Sequence, residues 1–116
     1  MFSIKRLYSV KDFPAEYAAW ADAKNRCINP KNPRYKFYGE KGITMYLPWT
    51  EGFIGFQRFM LEIGPKPNPK FFLDRKRNSQ GYHPGNVHWV HPSDSAYNRN
   101  NSLADQLEKT RYSTLD

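Results

Sequence analysis

A chain of 116 residues with 39% hydrophobic and 16% aromatic content is long enough for one domain with a modest core, and this excludes global disorder. A single cysteine, Cys27, excludes an internal disulfide framework and any structural zinc site built from several thiolates, and no disulfide-linked partner is expected. No apolar run approaches the ~18 residues of a membrane span and no signal-peptide pattern opens the chain, so a cytoplasmic (intracellular) setting without a membrane partner is expected, while a net charge of +7 favours a polyanionic partner.

In chain order, residues 1–11 offer a short strand at 2–8 and the basic pair Lys5-Arg6. Asp12 is placed to N-cap a helix with Pro14 in its first turn. Phe13, Tyr17, Trp20, Ala21 and Cys27 fall near one helical face, with Glu16, Asp22 and Lys24 off it. The helix is expected to stop by Ile28, because Asn29-Pro30 and Asn32-Pro33 do not continue it. Cys27 at its end reads as a small buried hydrophobe, since no His or acid pairs with it in sequence.

Residues 34–42 form a basic loop in which Gly39 and Gly42 permit a tight turn. A short strand is expected at 43–46, closed by Pro48-Trp49-Thr50. Thr50 is placed to cap a second helix in which Phe53, Phe56, Met60 and Ile63 follow helical spacing, with Phe59 close by. Gly64 ends that helix and Pro65 confirms the stop. Such an aromatic stripe reads as core. Residues 65–70, with three prolines, form a stiff connector.

The stretch 71–98 organises the rest. A short apolar run, Phe71-Phe72-Leu73, stops at Asp74 inside the basic cluster Asp74-Arg75-Lys76-Arg77. A turn-rich segment at 78–86 follows, then Val87-His88-Trp89-Val90, and Pro92-Ser93 opens a polar stretch suited to a helix. Strand, loop, strand, helix is the economical reading, because both runs are short, aromatic or β-branched, and bounded by Gly, Pro and Asn. It sets Asp74 at the end of one strand and Asn86 at the start of the next. If Trp89 packs inward, alternation turns His88 outward. After Asn98 a helical stretch at 103–110 has only a thin apolar edge, which implies a weakly docked tail.

The positive charge is concentrated. Residues 24–41 hold Lys24, Arg26, Lys31, Arg34, Lys36 and Lys41 against Glu40 alone, and residues 66–77 hold Lys66, Lys70, Arg75, Lys76 and Arg77 against Asp74 alone. Basic groups interleaved with Tyr35, Phe37 and Tyr38 suit a nucleic acid, since each neutralised phosphate releases counterions. A lone basic loop is usually plain solvated surface; two clusters in one small domain favour the nucleic-acid reading.

These residues carry a resemblance. Asp74-Arg75 at a strand end, Gly81-Tyr82-x-Pro84-x-Asn86-x-x-Trp89, and a polar helix rich in Asn resemble the ββα core of HNH (His-Me finger) nucleases. Tyr38-Gly39-Glu40-Lys41-Gly42-Ile43, Trp49, the aromatic helix ending in Gly64, and Leu73-Asp74-Arg75 are similar more narrowly to small phage and mobile-element (homing) HNH proteins, over about residues 17–98. The resemblance implies that Asp74, with Ser95 or Asn98 on the helix, holds Mg²⁺ or another divalent metal weakly, phosphate oxygens and water completing the shell. It implies that Asn86 orients the catalytic base. Position 75 is Arg where that base is usually His, and Ser95 stands where the helix often offers Asn or His. Arg75 is a poor base but suits a phosphate or transition-state charge. His83, His88 and His91 remain as candidate bases, His88 foremost, although a half-exposed strand histidine with no chemical role is an equal reading. For Asp74 the bland alternative is a carboxylate that neutralises Arg75 and Lys76.

The expectation is therefore an α+β fold: a single domain over 1–116, with an HNH-like core at about 71–100, a basic and aromatic part at 13–64 that runs helix–loop–strand–helix, and a tail at 101–116. The expected function is metal-dependent cleavage or nicking of double-stranded DNA, with Asp74, Arg75, Asn86 and His88 as catalytic residues and Arg34, Lys36, Lys41, Lys76, Arg77 and Arg99 on DNA. A DNA-binding module that kept this fold and lost catalysis is the alternative, and a basic nucleic-acid-associated structural protein is a third.

Overall fold

Pro14 opens the first helix, Pro14–Ile28 (α1), in a computed structural model that describes residues 7–94. The strand expected at 2–8, the polar helix expected from Pro92-Ser93 onward and the tail at 101–116 thus lie wholly or mainly outside the described residues, and of that helix only Pro92–Asp94 is described, as a 3₁₀ turn. A proline suits the first turn, where its missing N–H has no helical partner to lose. The N-cap is Phe13 rather than the expected Asp12, and no side chain caps the turn. The cause is local: Ser9 accepts the Asp12 N–H on its Oγ at 3.1 Å and the Phe13 N–H on its carbonyl at 3.0 Å, so a preceding turn already holds Asp12.

Glu16, Trp20, Ala23 and Cys27 are the buried side chains of α1 and recur at helical spacing along one face. Glu16 was expected off that face. It turns inward because its Oε2 accepts the backbone N–H of Lys66 at 2.9 Å, which ties the connector after the second helix to α1. The helix stops where expected, with Asn29 in extended backbone ahead of Pro30.

Beyond it the chain makes two short 3₁₀ turns, Tyr35–Phe37 and Gly39–Lys41, seated on the end of α1. A Cβ at Gly39 would stand 2.3 Å from the Cys27 carbonyl oxygen, so only glycine lets the turn come this close. The strand expected at 43–46 reduces to one parallel bridge, Met45 to Tyr82. Tyr82 donates its N–H to the Thr44 carbonyl at 2.9 Å and accepts the Tyr46 N–H at 2.7 Å. A further 3₁₀ turn, Leu47–Thr50, then bends the chain away before pairing extends.

The second helix, Gly52–Ile63 (α2), begins after an N-cap at Glu51 rather than Thr50. The Thr50 hydroxyl instead donates to the Leu47 carbonyl at 2.6 Å and closes the preceding turn. Phe56, Phe59 and Met60 are fully buried, as the stripe implied, whereas Phe53 is exposed. Gln57 is fully buried as well: its Oε1 accepts the Tyr8 N–H at 3.0 Å and its Nε2 donates to the Tyr8 carbonyl at 2.6 Å. Both groups of the amide are thereby satisfied by backbone from outside the helix. Gly64 terminates α2 at φ 84°, as Gly64-Pro65 implied.

Between the helices, rings form most of the core. Phe56 meets Tyr17 edge-on at 5.2 Å and Trp20 at 5.6 Å, and Phe59 meets Trp49 at 5.2 Å. The Trp20 Nε1–H donates to the Trp49 carbonyl at 2.9 Å, so the indole is buried without a stranded donor. The sheet is one antiparallel pair, Phe72–Arg75 (β1) and Val87–Val90 (β2). Trp89 packs edge-on against Phe59 at 6.2 Å and donates its Nε1–H to the Gly64 carbonyl at 2.7 Å, which seats the hairpin on the end of α2. Two α-helices and a two-stranded sheet make the described fold α+β.

Candidate functional site

The register of the hairpin pairs Leu73 with Trp89, Asp74 with His88, and Arg75 with Val87. Successive residues of a strand point to opposite faces, so directly paired residues share a face. Trp89 and Leu73 pack against the core, which turns Asp74 and His88 outward. Their side chains meet: His88 Nε2 lies 3.2 Å from Asp74 Oδ2, with 35% of the histidine and 26% of the aspartate side chain exposed. An ionised carboxylate only accepts, so in the Nε2–H tautomer His88 donates this hydrogen bond and Nδ1 is the ring's acceptor nitrogen. Two of the four expected catalytic residues, one of them also an expected metal ligand, thus form one pair at the solvent boundary.

The other two histidines are engaged elsewhere. His91 Nδ1 accepts the Ser93 backbone N–H at 3.0 Å and meets the Ser93 hydroxyl at 2.8 Å, while His83 Nδ1 lies 2.9 Å from the Pro84 carbonyl.

Arg75 points to the opposite face, beside buried Val87. Its Nη1 donates to the carbonyls of Asn78 and Gln80, both at 2.7 Å, and its guanidinium carbon lies 5.1 Å from the Tyr38 ring centroid and 5.4 Å from that of Tyr82. Strand alternation explains why it does not share the Asp74–His88 face. Arg26 of α1 reaches the same two rings, at 5.0 Å and 5.9 Å, and donates through Nη2 to the Tyr82 hydroxyl at 2.8 Å. The phenol rings stack at 6.4 Å. Two guanidinium groups around two electron-rich rings thus join α1, the 3₁₀ turns and the 76–86 loop.

Protonation in this cluster follows from its packing. Burial pushes the Tyr82 phenol above its ordinary value near 10, against the Arg26 hydrogen bond and charge. Burial works to lower the Arg26 pKa, but the Tyr82 hydrogen bond and the nearby phenols and Asp22 outweigh it and the net shift is upward. Burial also raises the Cys27 thiol, against Arg26 and Arg75, in keeping with a core residue rather than a nucleophile.

Asn86 is 3% exposed and holds the loop. Its Oδ1 accepts the Arg77 N–H at 2.9 Å, and its Nδ2 donates to the carbonyls of Gly81 at 2.8 Å and Arg77 at 3.2 Å. All of these bonds go to loop backbone and none to His88. Asn86 therefore orients the loop between the strands, where a direct hold on the base had been expected.

Of the expected DNA contacts, Arg34, Lys36, Lys41, Lys76 and Arg77 are all exposed. Tyr38, stacked on Tyr82 and facing Arg75, links the turns that carry the first three to the loop that carries the other two. Ser95, Asn98 and Arg99 lie outside the described residues. Among the described residues no three metal-ligating side chains come together. Asp74 offers one carboxylate oxygen beyond the one that meets His88, a single hard ligand that suits a cation held mainly by substrate oxygens and water. Sequence reasoning missed Tyr38 and Tyr82 as partners of Arg75, and Arg26 as a second guanidinium on the same rings, although alternation from Asp74 to Arg75 already separates those two side chains.

Comparison with protein-family models, curated proteins and solved structures gives no match for this chain. Among the described residues no helix is long and apolar enough to cross a membrane.

Proposed function

We propose that the chain is an HNH-like, metal-dependent endonuclease that nicks or cleaves double-stranded DNA, and that the Asp74–His88 pair is its reactive centre. The observation that carries this reading is the pair itself: a histidine held at 3.2 Å by a carboxylate at the rim of a strand hairpin. Beside it stands a loop that bears Lys76 and Arg77. Hydrolysis of a phosphodiester needs a base to take a proton from water, and positive charge to hold the phosphate. Asp74 fixes the His88 tautomer through Nε2, so Nδ1 takes the proton, and the carboxylate stabilises the imidazolium that results. Lys76 and Arg77 hold the phosphate backbone. The second Asp74 oxygen would bind a divalent cation, which when bound supplies Lewis-acid stabilisation of the phosphate.

A second reading has its own support. With Arg75 pinned to loop carbonyls on the far face, and no third metal-ligating group among the described residues, the same fold serves as a DNA-binding module without catalysis. Nicking of supercoiled plasmid with Mg²⁺ or Mn²⁺ separates the two. The nuclease reading expects nicking that is lost in Asp74→Ala and in His88→Ala, while duplex affinity is kept. Tight duplex binding by wild type with no metal-dependent nicking overturns it in favour of the module.

A further inference from the structure

Phe37 is the one large apolar side chain that the basic turns present to solvent. Within the 3₁₀ turn Phe37 is 55% exposed, while Tyr35 and Tyr38 nearby are half-buried. Phe37 is flanked by cations. The ammonium groups of Lys36 and Lys41 sit 5.2 Å and 5.9 Å from its centroid, and Arg34 is exposed at the head of the turn. The two ion pairs among the described residues, Arg58–Glu51 and His88–Asp74, involve none of these cations.

The platform beneath is stiff. Phe37 donates its N–H to the Arg34 carbonyl at 2.9 Å, Tyr38 to Tyr35 at 3.0 Å, and Ile43 to Tyr38 at 2.8 Å. Gly39 packs the turn against the last turn of α1, and Tyr38 is gripped by two arginines.

A rigid aromatic ring ringed by cations suits a partner with the opposite pattern, flat apolar faces spaced between anionic groups. A protein surface complementary to a single phenyl ring would bring apolar groups against the two ammonium groups that flank it. Nucleic acid alone among the common polymers alternates phosphates with stackable rings. From this we infer that Phe37 is a base-contacting wedge, which inserts its ring at a base step of duplex DNA while Lys36 and Lys41 leave the ring for the flanking phosphates. This rests on the DNA reading above and deepens it. Exposed ammonium–ring contacts are weak, so the transfer to phosphate is downhill. Apolar wedges of this kind unstack a step and bend the duplex.

The test uses a set of duplexes with 2-aminopurine at successive positions, whose fluorescence rises when a base is unstacked. Wild-type protein is expected to raise it at one or two positions, and Phe37→Ala to abolish the rise and weaken binding about 5- to 100-fold without changing the salt dependence. Lys36→Ala and Lys41→Ala are expected to do the reverse, flattening the log–log salt slope by about one each while keeping the fluorescence rise at saturation. A Phe37→Trp variant guards against a folding artefact: its exposed indole should be quenched by acrylamide in the free protein and shielded in the complex. Wild-type binding with Phe37→Ala equal in affinity and fluorescence, or a Phe37→Trp variant whose new indole stays open to acrylamide in the complex, overturns the wedge and leaves the nuclease reading standing. Absence of any duplex binding by wild type overturns both.

Discussion

Arg75 offers the clearest separation between a residue that acts on substrate and one that builds the site. Replacement by Ala removes two charge-assisted hydrogen bonds to the Asn78 and Gln80 carbonyls and the packing of a guanidinium on two phenol rings. These carbonyls lie near water and are rehydrated when the bonds are lost, so each bond contributes toward the low end of about 0.5–1.5 kcal/mol. The ring contacts add about 0.5–1 kcal/mol. The expected loss is about 2 kcal/mol, a substantial part of the ~5–15 kcal/mol that holds a small domain folded. Urea unfolding at a fixed m-value measures it, and amide exchange in the 76–86 loop should quicken more than exchange in α1 or α2. Arg75→Lys should recover less than half, because an ammonium does not fork between two carbonyls while lying on a ring. Arg75→His, which would put an imidazole next to Asp74 in sequence, should not raise nicking, because its side chain starts on the face opposite Asp74. An Arg75→Ala protein within about 0.5 kcal/mol of wild type, or an Arg75→His protein that nicks faster than wild type, would refute this reasoning.

Two further outcomes follow from the same cluster. Gly81→Ala would put a Cβ 2.0 Å from the Thr44 carbonyl oxygen, and backbone does not yield as a side-chain tip does. It should part the Met45–Tyr82 bridge and cost about 1–3 kcal/mol by chemical denaturation; a neutral substitution would show that the two backbones do not meet. The Tyr82 phenol, held above its ordinary value by burial, stays protonated in the folded chain at a pH where the unfolded chain already ionises. Stability should therefore be intact below about pH 10 and fall as pH rises from there through the folded value. Tyr82→Phe should lessen that alkaline loss, and an alkaline titration of stability that superimposes on wild type would contradict it.

Much of this was legible in the sequence. Pro14, Pro30 and Gly64 punctuate the helices by backbone chemistry that is local, and Val87–Val90 is bounded by residues that do not extend a strand. What escaped was long-range. Glu16 and Gln57 are buried because the backbone of Lys66 and of Tyr8 supplies their partners from elsewhere in the chain, and no helical periodicity records that. The strand expected at 43–46 stops at one bridge because the turn at Leu47–Thr50 begins at once. The Asp74–His88 contact depends on hairpin register, which the loop held by Asn86 sets; alternation turned His88 outward but did not name its partner. Arg75 was placed beside Asp74 by adjacency in sequence, although adjacent strand residues face apart.

In the proposed nuclease reading, Asp74 and His88 act as one unit on a phosphodiester. Its most direct test is the metal-dependent nicking rate of the two single variants and the double variant, Asp74→Asn, His88→Ala and both together, measured on supercoiled plasmid under conditions where each binds duplex DNA as wild type does. Groups that act together lose nearly everything at the first removal, so the double variant should be no slower than the worse single one. Losses that multiply, or a His88→Ala protein that nicks at the wild-type rate, would show that the two groups do not act together.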